Sequence, residues 1–155
     1  MNYLDLLIIF LAKYLGWALG ILAVFIFLKN RRLLLESFLS AAVARFGITD
    51  LIRYFYNRPR PFEVGDFTPL ISHEYGYSFP SGHAAFFFAL ATAIFLYNRR
   101  WDAVFFIGAI LISLGRVWAG VHWYSDILGG AIVGILTSIL VNFLVRKFQR
   151  PGSSV

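Results

Sequence analysis

The sequence predicts an all-α integral membrane protein, built as a bundle of about five transmembrane helices. Of its 155 residues, 59% are hydrophobic and only 14% are charged, and the mean hydropathy is +0.72. Soluble chains carry about 25% charged residues to cover their surface, so this composition excludes a soluble globular domain. Apolar segments close to the length of about 20 residues that a bilayer core requires occur five times along the chain.

The five apolar segments set the expected order of the helices. They cover residues 4–28, 33–52, 81–97, 101–117 and 124–145. No small-residue cleavage site follows the first segment, so we expect a retained helix there instead of a signal peptide. The second segment is the least regular, because Glu36, Arg45 and Asp50 lie within it. We expect a single domain over residues 1–150 and a frayed tail at 151–155.

Two basic side chains, Lys13 and Arg45, fall inside the first two segments. Charges within a bilayer are costly and usually face the interior of the bundle. Either these two side chains line a polar route toward a site, or their helices are shifted and they extend to the membrane surface. The sequence leaves both options open.

The distribution of basic residues predicts the orientation of the chain, since cytoplasmic loops collect Lys and Arg. If successive segments cross the membrane in opposite directions, most basic residues fall on one side. They are Lys29, Arg31, Arg32, Arg99, Arg100, Arg146, Lys147 and Arg150. We therefore expect the carboxyl terminus in the cytoplasm and the amino terminus outside. The outer side receives the long loop 53–80, whose many aromatic side chains are typical of a headgroup interface.

Net charge and cysteine content exclude several classes of function. The chain has a net charge of +6 and a pI near 9.9, and in a membrane protein such a balance reflects topology, so we expect no nucleic-acid partner. It contains no cysteine, which excludes disulfides, thiolate nucleophiles and Cys-ligated zinc. The few carboxylates are not clustered as a magnesium or two-metal site would require, so we expect no metal and no cofactor.

Three groups of polar residues stand at segment ends on the outer side. They are Arg53-x6-Arg60-Pro61, Pro80-Ser81-Gly82-His83 and Arg116-x5-His122-x3-Asp126. Ser81 can cap the third helix, whose free N–H groups can hold an anion close to His83. If residues 122–126 are helical, His122 and Asp126 share a face, and the carboxylate can hold one imidazole nitrogen. The planar guanidinium groups of the arginines can donate two hydrogen bonds to phosphate oxygens. The sequence therefore predicts a phosphate site with two histidines.

At these residues the sequence resembles the type 2 phosphatidic acid phosphatase superfamily, membrane lipid phosphatases that share a helical core with vanadium haloperoxidases. The family signature is Lys-x6-Arg-Pro, Pro-Ser-Gly-His and Ser-Arg-x5-His-x3-Asp. Here Arg53 stands for the opening lysine and Gly115 for the serine before Arg116. The membrane members most often have six spans, whereas five are counted here.

The resemblance implies a mechanism and a role for each matching residue. His122 would attack phosphorus and form a phosphohistidine, Asp126 would orient it, and His83 would protonate the departing oxygen and then activate water. The remaining motif residues would bind the phosphate, namely Arg53, Arg60, Ser81, Gly82 and Arg116. No metal is needed in this scheme.

Several residues near the motifs receive a structural interpretation. Arg58 lies outside the motif register, and we expect an interfacial turn there, with the arginine paired to lipid headgroups. His73 lies outside every motif and is expected to be solvated. The Gly130-x-x-x-Gly134 spacing permits close helix contact, which we assign to packing within the chain in preference to dimerisation. A monomer and a homodimer both remain open.

The expected function is hydrolysis of a lipid phosphate by a membrane enzyme. Undecaprenyl diphosphate is the favoured substrate, in a bacterial inner membrane with the active site on the periplasmic face. A phosphatidic acid or phosphatidylglycerophosphate phosphatase is the first alternative, and a lipid A phosphatase ranks below it. A non-catalytic lipid-phosphate binder or transporter is the alternative from another class, although binding alone requires no nucleophile with an orienting acid.

Overall fold

The computed structural model describes residues 2–149, and within them the chain is helical and forms no strand. The predicted all-α class is therefore confirmed, whereas the expected frayed tail at 151–155 lies outside the described residues. There are five long helices and one short one in this part of the chain. They are α1 (Tyr3–Phe27), α2 (residues 31–55), α3 (Pro61–Val64), α4 (Gly82–Tyr97), α5 (Asp102–Trp118) and α6 (Tyr124–Gln149).

Two of these helices are long and apolar enough to cross a membrane. They are α1 and Tyr124–Phe148 of α6, each with 25 residues and a hydropathy above 2. The other long helices are shorter or more polar, so the count of about five spans stays a prediction. The structure nevertheless puts long helices close to all five predicted segments.

Two helices contain a wider, π-helical turn. In α1 it covers Phe10–Tyr14, and in α2 it covers Val43–Thr49, between the α-helical parts Arg31–Ala42 and Asp50–Phe55. Such turns are rare and often mark functional sites. The two turns carry Lys13 and Arg45, the basic residues that the sequence puts within apolar segments.

Helix α4 lies at the centre of the bundle, packed against α2, α5 and α6. Its alanines are fully buried and let α6 approach closely. A Cβ on Gly130 would lie 2.5 Å from the carbonyl oxygen of Ser81, and one on Gly134 would overlap the carbonyl of Ala85. The spacing of these two glycines therefore serves packing within the chain, as expected.

Helix α1 packs on α5 through two further glycines. A Cβ on Gly108 would come within 2.8 Å of the Leu19 side chain, and one on Gly115 within 2.8 Å of the Ala12 backbone nitrogen. This contact fixes α1 to the bundle along one side. On its other side, a cavity separates α1 from α2.

Glu36 is buried, with 6% exposure, at the end of the bundle where the sequence predicts the cytoplasmic basic residues. Side chains from three helices come together there. Arg32 donates from Nε to the Glu36 carboxylate at 2.7 Å, and the Tyr97 hydroxyl donates to the same carboxylate. The guanidinium groups of Arg32 and Arg146 lie over the Tyr97 ring. Glu36 is thus paired, which removes much of the cost of burying its charge.

We expect Gly134→Ala to destabilise the fold, although alanine normally favours a helix over glycine by about 1 kcal/mol. Overpacking against the Ala85 carbonyl costs about 1–3 kcal/mol, which lowers the Tm by roughly 2–4 °C per kcal/mol in a chain of this size. Gly20→Ala is the matched control, since a Cβ there meets nothing within 4 Å. Thermal unfolding in detergent checks this, and equal Tm values for the two variants would contradict the close packing of α4 on α6.

Candidate active site

His122 and Asp126 form a buried pair between α5 and α6. Nδ1 of His122 lies 3.3 Å from Oδ2 of Asp126, and the two residues are 2% and 0% exposed. The helix begins only at Tyr124, so His122 precedes it, and Asp126 also accepts a hydrogen bond from the Trp123 N–H at 2.8 Å. That bond is half of a capping box, and it fixes the carboxylate toward the histidine.

The environment keeps His122 neutral. Burial lowers the pKa of His122 to about 4; the Asp126 hydrogen bond opposes this effect, and the charges of Arg116 and Arg60 add to it. An ionised carboxylate can only accept, so the hydrogen on the ring belongs to Nδ1. Nε2 is then unprotonated at neutral pH and carries the lone pair of the ring.

Arg60 contacts the unprotonated nitrogen of that histidine, with its Nη1 at 3.4 Å from Nε2 of His122, where it can donate to the lone pair. The guanidinium group also donates to the backbone carbonyls of Glu74, Tyr77 and Val121, at 3.0, 3.4 and 2.9 Å. Arg60 is only 3% exposed, and burial lowers its pKa, yet a guanidinium remains charged at neutral pH. A positive charge therefore lies where an anion would meet the imidazole.

The Pro-Ser-Gly-His segment is attached to this pair through the backbone. The Ser81 N–H donates to the Asp126 carbonyl at 2.9 Å, while the Ser81 hydroxyl accepts from the Ala84 N–H and caps α4, as predicted. Arg53 donates from Nε and Nη2 to the Pro80 carbonyl, at 3.2 and 2.8 Å. His83 is exposed and lines the cavity between α1 and α2.

Arg116 points from the end of α5 toward α1. It is 5% exposed, its Nη1 donates to the Ala12 carbonyl at 3.3 Å, and its buried Nε has no partner among the described residues. Gly115 permits this contact, because any side chain there would meet the Ala12 backbone. Glycine in place of the signature serine is thus explained by the close approach of α1.

The prediction for Arg58 was wrong. Its Nη1 donates to Oδ1 of Asp126 at 2.9 Å and to the Ser125 hydroxyl at 2.7 Å, and its guanidinium lies over the Trp123 ring. The cause is that Asp126 is fully buried and its second oxygen needs a donor. The Trp123 indole donates to the Pro59 carbonyl at 3.0 Å, which holds the arginine in place.

The expectation that His73 is solvated was also wrong. His73 is half-buried, and its ring centroid lies 6.0 Å from that of His122. Burial and the neighbouring Arg60 lower the pKa of His73 to about 3, so this imidazole is neutral. No periodicity or motif in loop 53–80 signals that the chain folds back over His122 at this point.

Comparisons with known proteins agree with the geometry. The sequence model described as the PAP2 superfamily matches residues 33–150. Undecaprenyl-diphosphatase BcrC of Bacillus subtilis is 32% identical over 154 residues, with 96% of this chain and 76% of that protein covered. The bacitracin transport permease protein BcrC of Bacillus licheniformis is 29% identical over 153 residues, with 96% and 75% covered. The crystal structure of Aquifex aeolicus LpxE matches with a TM-score of 0.76 at 30% identity, over 92% of this chain and 87% of that one.

We expect Gly115→Ser to lower stability, although it restores the serine of the family signature. The side chain would collide with the backbone of Ala12, and overpacking of this kind costs about 1–3 kcal/mol. Gly47→Ser is the control, since a Cβ there makes only an ordinary contact at 3.8 Å. The Tm in detergent should fall for Gly115→Ser alone; an unchanged Tm would mean that α1 does not lie against Gly115.

We expect the stability of the wild-type protein to fall more steeply toward acid than that of His122→Asn. The pKa of His122 is about 4 in the folded state and about 6.5 in the unfolded state. Between these values only the unfolded state takes up the proton, so stability falls as the pH falls, by about 2 kcal/mol at pH 5. The difference in Tm between pH 7 and pH 5 should be smaller in His122→Asn, and identical differences would refute a buried neutral imidazole.

Proposed function

The chain belongs to the PAP2 superfamily, and we propose that it is a membrane lipid phosphatase that works through a phosphohistidine intermediate, with undecaprenyl diphosphate as its substrate. The observation that carries this proposal is the buried His122–Asp126 pair, whose unprotonated Nε2 faces Arg60. A binding protein needs positive charge and donors for a phosphate, but it has no use for a neutral imidazole oriented by a carboxylate.

In the proposed first step, the Nε2 lone pair of His122 forms a bond to phosphorus while the bond from phosphorus to the leaving oxygen breaks. The electron pair of that bond stays on the leaving oxygen, which takes a proton from His83. Asp126 stabilises the positive imidazole ring that results. In the second step, water gives a proton to His83 and attacks phosphorus, which breaks the P–N bond and restores His122.

The charge that spreads over the phosphoryl oxygens in this reaction requires positive partners. Arg60 lies beside His122, and the Nε of Arg116 is buried without a partner among the described residues; we assign both guanidinium groups to the phosphate. We assign Arg53, Ser81 and Gly82 to the same phosphate through the segment that precedes α4. Within residues 2–149, no three His, Asp or Glu side chains are arranged to hold a metal ion, so we propose that hydrolysis needs none.

The choice of a diphosphate substrate is supported by the relative from Bacillus subtilis, which is named an undecaprenyl-diphosphatase. A non-catalytic lipid-phosphate binder or transporter is the second candidate; the relative from Bacillus licheniformis is named a bacitracin transport permease protein. We propose a bacterial inner membrane with the site on the periplasmic face. The basic side chains Arg32 and Arg146 lie around Tyr97, at the end of α4 remote from Ser81, which supports this orientation.

We expect His122→Ala to lose phosphate release by about 10³-fold or more, because the nucleophile is gone. Purified protein would be assayed with EDTA present against undecaprenyl diphosphate, phosphatidic acid and phosphatidylglycerophosphate. Lys147→Ala, an exposed change near the end of α6 remote from Asp126, is the control for folding and should keep full turnover. Radiolabelled phosphate should be trapped on His122 in the wild-type protein.

Three results would contradict the proposal. Full turnover in His122→Ala would exclude the histidine as nucleophile. Binding of all three lipids without phosphate release would favour the transporter. Activity that vanishes with EDTA and returns with a divalent cation would exclude a metal-independent reaction.

A further inference from the structure

The cavity between α1 and α2 has a volume of about 780 Å³, and one of its walls is a single stripe of α1. The stripe follows the helical spacing of three and four residues. It consists of Lys13, Gly16, Trp17, Gly20, Ile21, Val24, Phe25 and Leu28. From Lys13 to Leu28 the stripe runs about 22 Å at the helical rise of 1.5 Å per residue, and every member beyond Lys13 is apolar or glycine.

Only one end of this cavity is charged. Lys13 lies at the amino-terminal end of the stripe, with its Nζ over the Tyr14 ring at 5.5 Å, while Arg45 on α2 contacts Gly82 next to His83. No acidic residue is among the described residues that line the cavity. Two positive charges at the head of an apolar groove match a lipid with an anionic head and a long hydrocarbon chain. Of the two options that the sequence left open for Lys13 and Arg45, we take the polar route, because both residues line the cavity.

Arg45 is held beside the catalytic segment. Its Nη1 donates to the Asp50 carboxylate at 2.6 Å, and its guanidinium lies so close to Gly82 that a Cβ there would overlap it. Asp50 contacts one of five guanidinium donors, and Asp50 itself is half-exposed. The arginine is thus oriented by its ion pair and still has donors to offer to a ligand next to His83.

Lys13 is brought to the same level by the contact of α1 with the active site. The carbonyl of its neighbour Ala12 accepts the hydrogen bond from Arg116. The π-helical turns of α1 and α2 contain Lys13 and Arg45, one in each. Each turn therefore contributes one cationic residue to the lining of the cavity.

We propose that Lys13 and Arg45 form a subsite for a second phosphoryl group, the one that stays on the lipid, and that the α1 stripe holds the hydrocarbon chain. This inference rests on the proposed function and specifies it, because it makes the enzyme selective for lipid diphosphates. His122 attacks the terminal phosphorus, and the bond to the bridging oxygen breaks. The electron pair remains on the lipid monophosphate, next to Lys13 and Arg45.

The chemistry of the leaving group explains why two cations belong at this place. A phosphate monoester has its second pKa near 6, so the lipid monophosphate is still an anion after it takes the proton from His83, and positive charge stabilises it as it leaves. A lipid monophosphate substrate instead releases an alcohol, which carries no phosphate for the subsite to bind. The subsite should therefore favour the diphosphate in the transition state.

The experiment compares geranylgeranyl diphosphate with geranylgeranyl monophosphate in detergent micelles. We expect Lys13→Gln and Arg45→Gln each to lower the ratio of kcat/KM for the diphosphate to kcat/KM for the monophosphate by about tenfold or more, the usual effect of losing a charge-assisted contact. Lys13→Arg and Arg45→Lys keep the charge and should retain most of the ratio. Lys29→Gln and Arg99→Gln remove the same charges far from His83 and should leave the ratio unchanged.

The outcomes separate this inference from the proposed function. An active wild-type enzyme whose ratio is unchanged in Lys13→Gln and Arg45→Gln would overturn the subsite alone. Equal losses with both lipids would also overturn it, since they would mean that the two cations serve the fold or the reacting phosphate. A wild-type protein that releases no phosphate from either lipid would overturn the proposed function and the subsite together.

Discussion

A single buried carboxylate organises the candidate site. Asp126 is inaccessible to solvent in the first turn of α6, and it accepts hydrogen bonds from Arg58, His122 and Trp123, while its backbone carbonyl accepts from Ser81. An ionised carboxylate without partners would cost several kcal/mol in such a place, so the loops must close around it for the protein to fold. The amino-terminal end of α6 favours the same negative charge.

The arginines act as cross-links between loops that have little regular structure. Arg53 donates with two nitrogens to the Pro80 carbonyl, and Arg60 donates to carbonyls on both sides of the site. A planar guanidinium group can donate from two nitrogens to one carbonyl oxygen, whereas a lysine ammonium has no second nitrogen to do so. Arginine in place of the signature lysine therefore has a visible structural role at position 53. The same side chains carry the positive charge that a phosphate needs.

The long helices and the candidate catalytic pair depend on signals that are local in the sequence. Apolar length marks the helices, and the sequence puts His122 and Asp126 four residues apart, although the helix begins only at Tyr124 and the contact forms from the turn that precedes α6. Arg58 and His73 could not be predicted, because their contacts join residues about 50 to 70 positions apart through a loop without periodicity. The requirement for glycine at position 115 could not be predicted either, because it depends on the backbone of α1, more than 100 residues away in the sequence.

The contact between α1 and α5 separates two tasks along the chain. The family match begins at residue 33 and leaves α1 outside it, yet α1 supplies the Ala12 carbonyl to Arg116 and a long wall of the cavity. The candidate catalytic residues and this wall thus belong to different segments, which pack together at Gly108 and Gly115 and through buried α1 side chains such as Leu19 and Phe27. On the proposed function, substitutions along α1 would change which hydrocarbon chain fits without altering any side chain that is proposed to contact the phosphate. Substrate range would then diversify, or be engineered, while the proposed reaction is preserved.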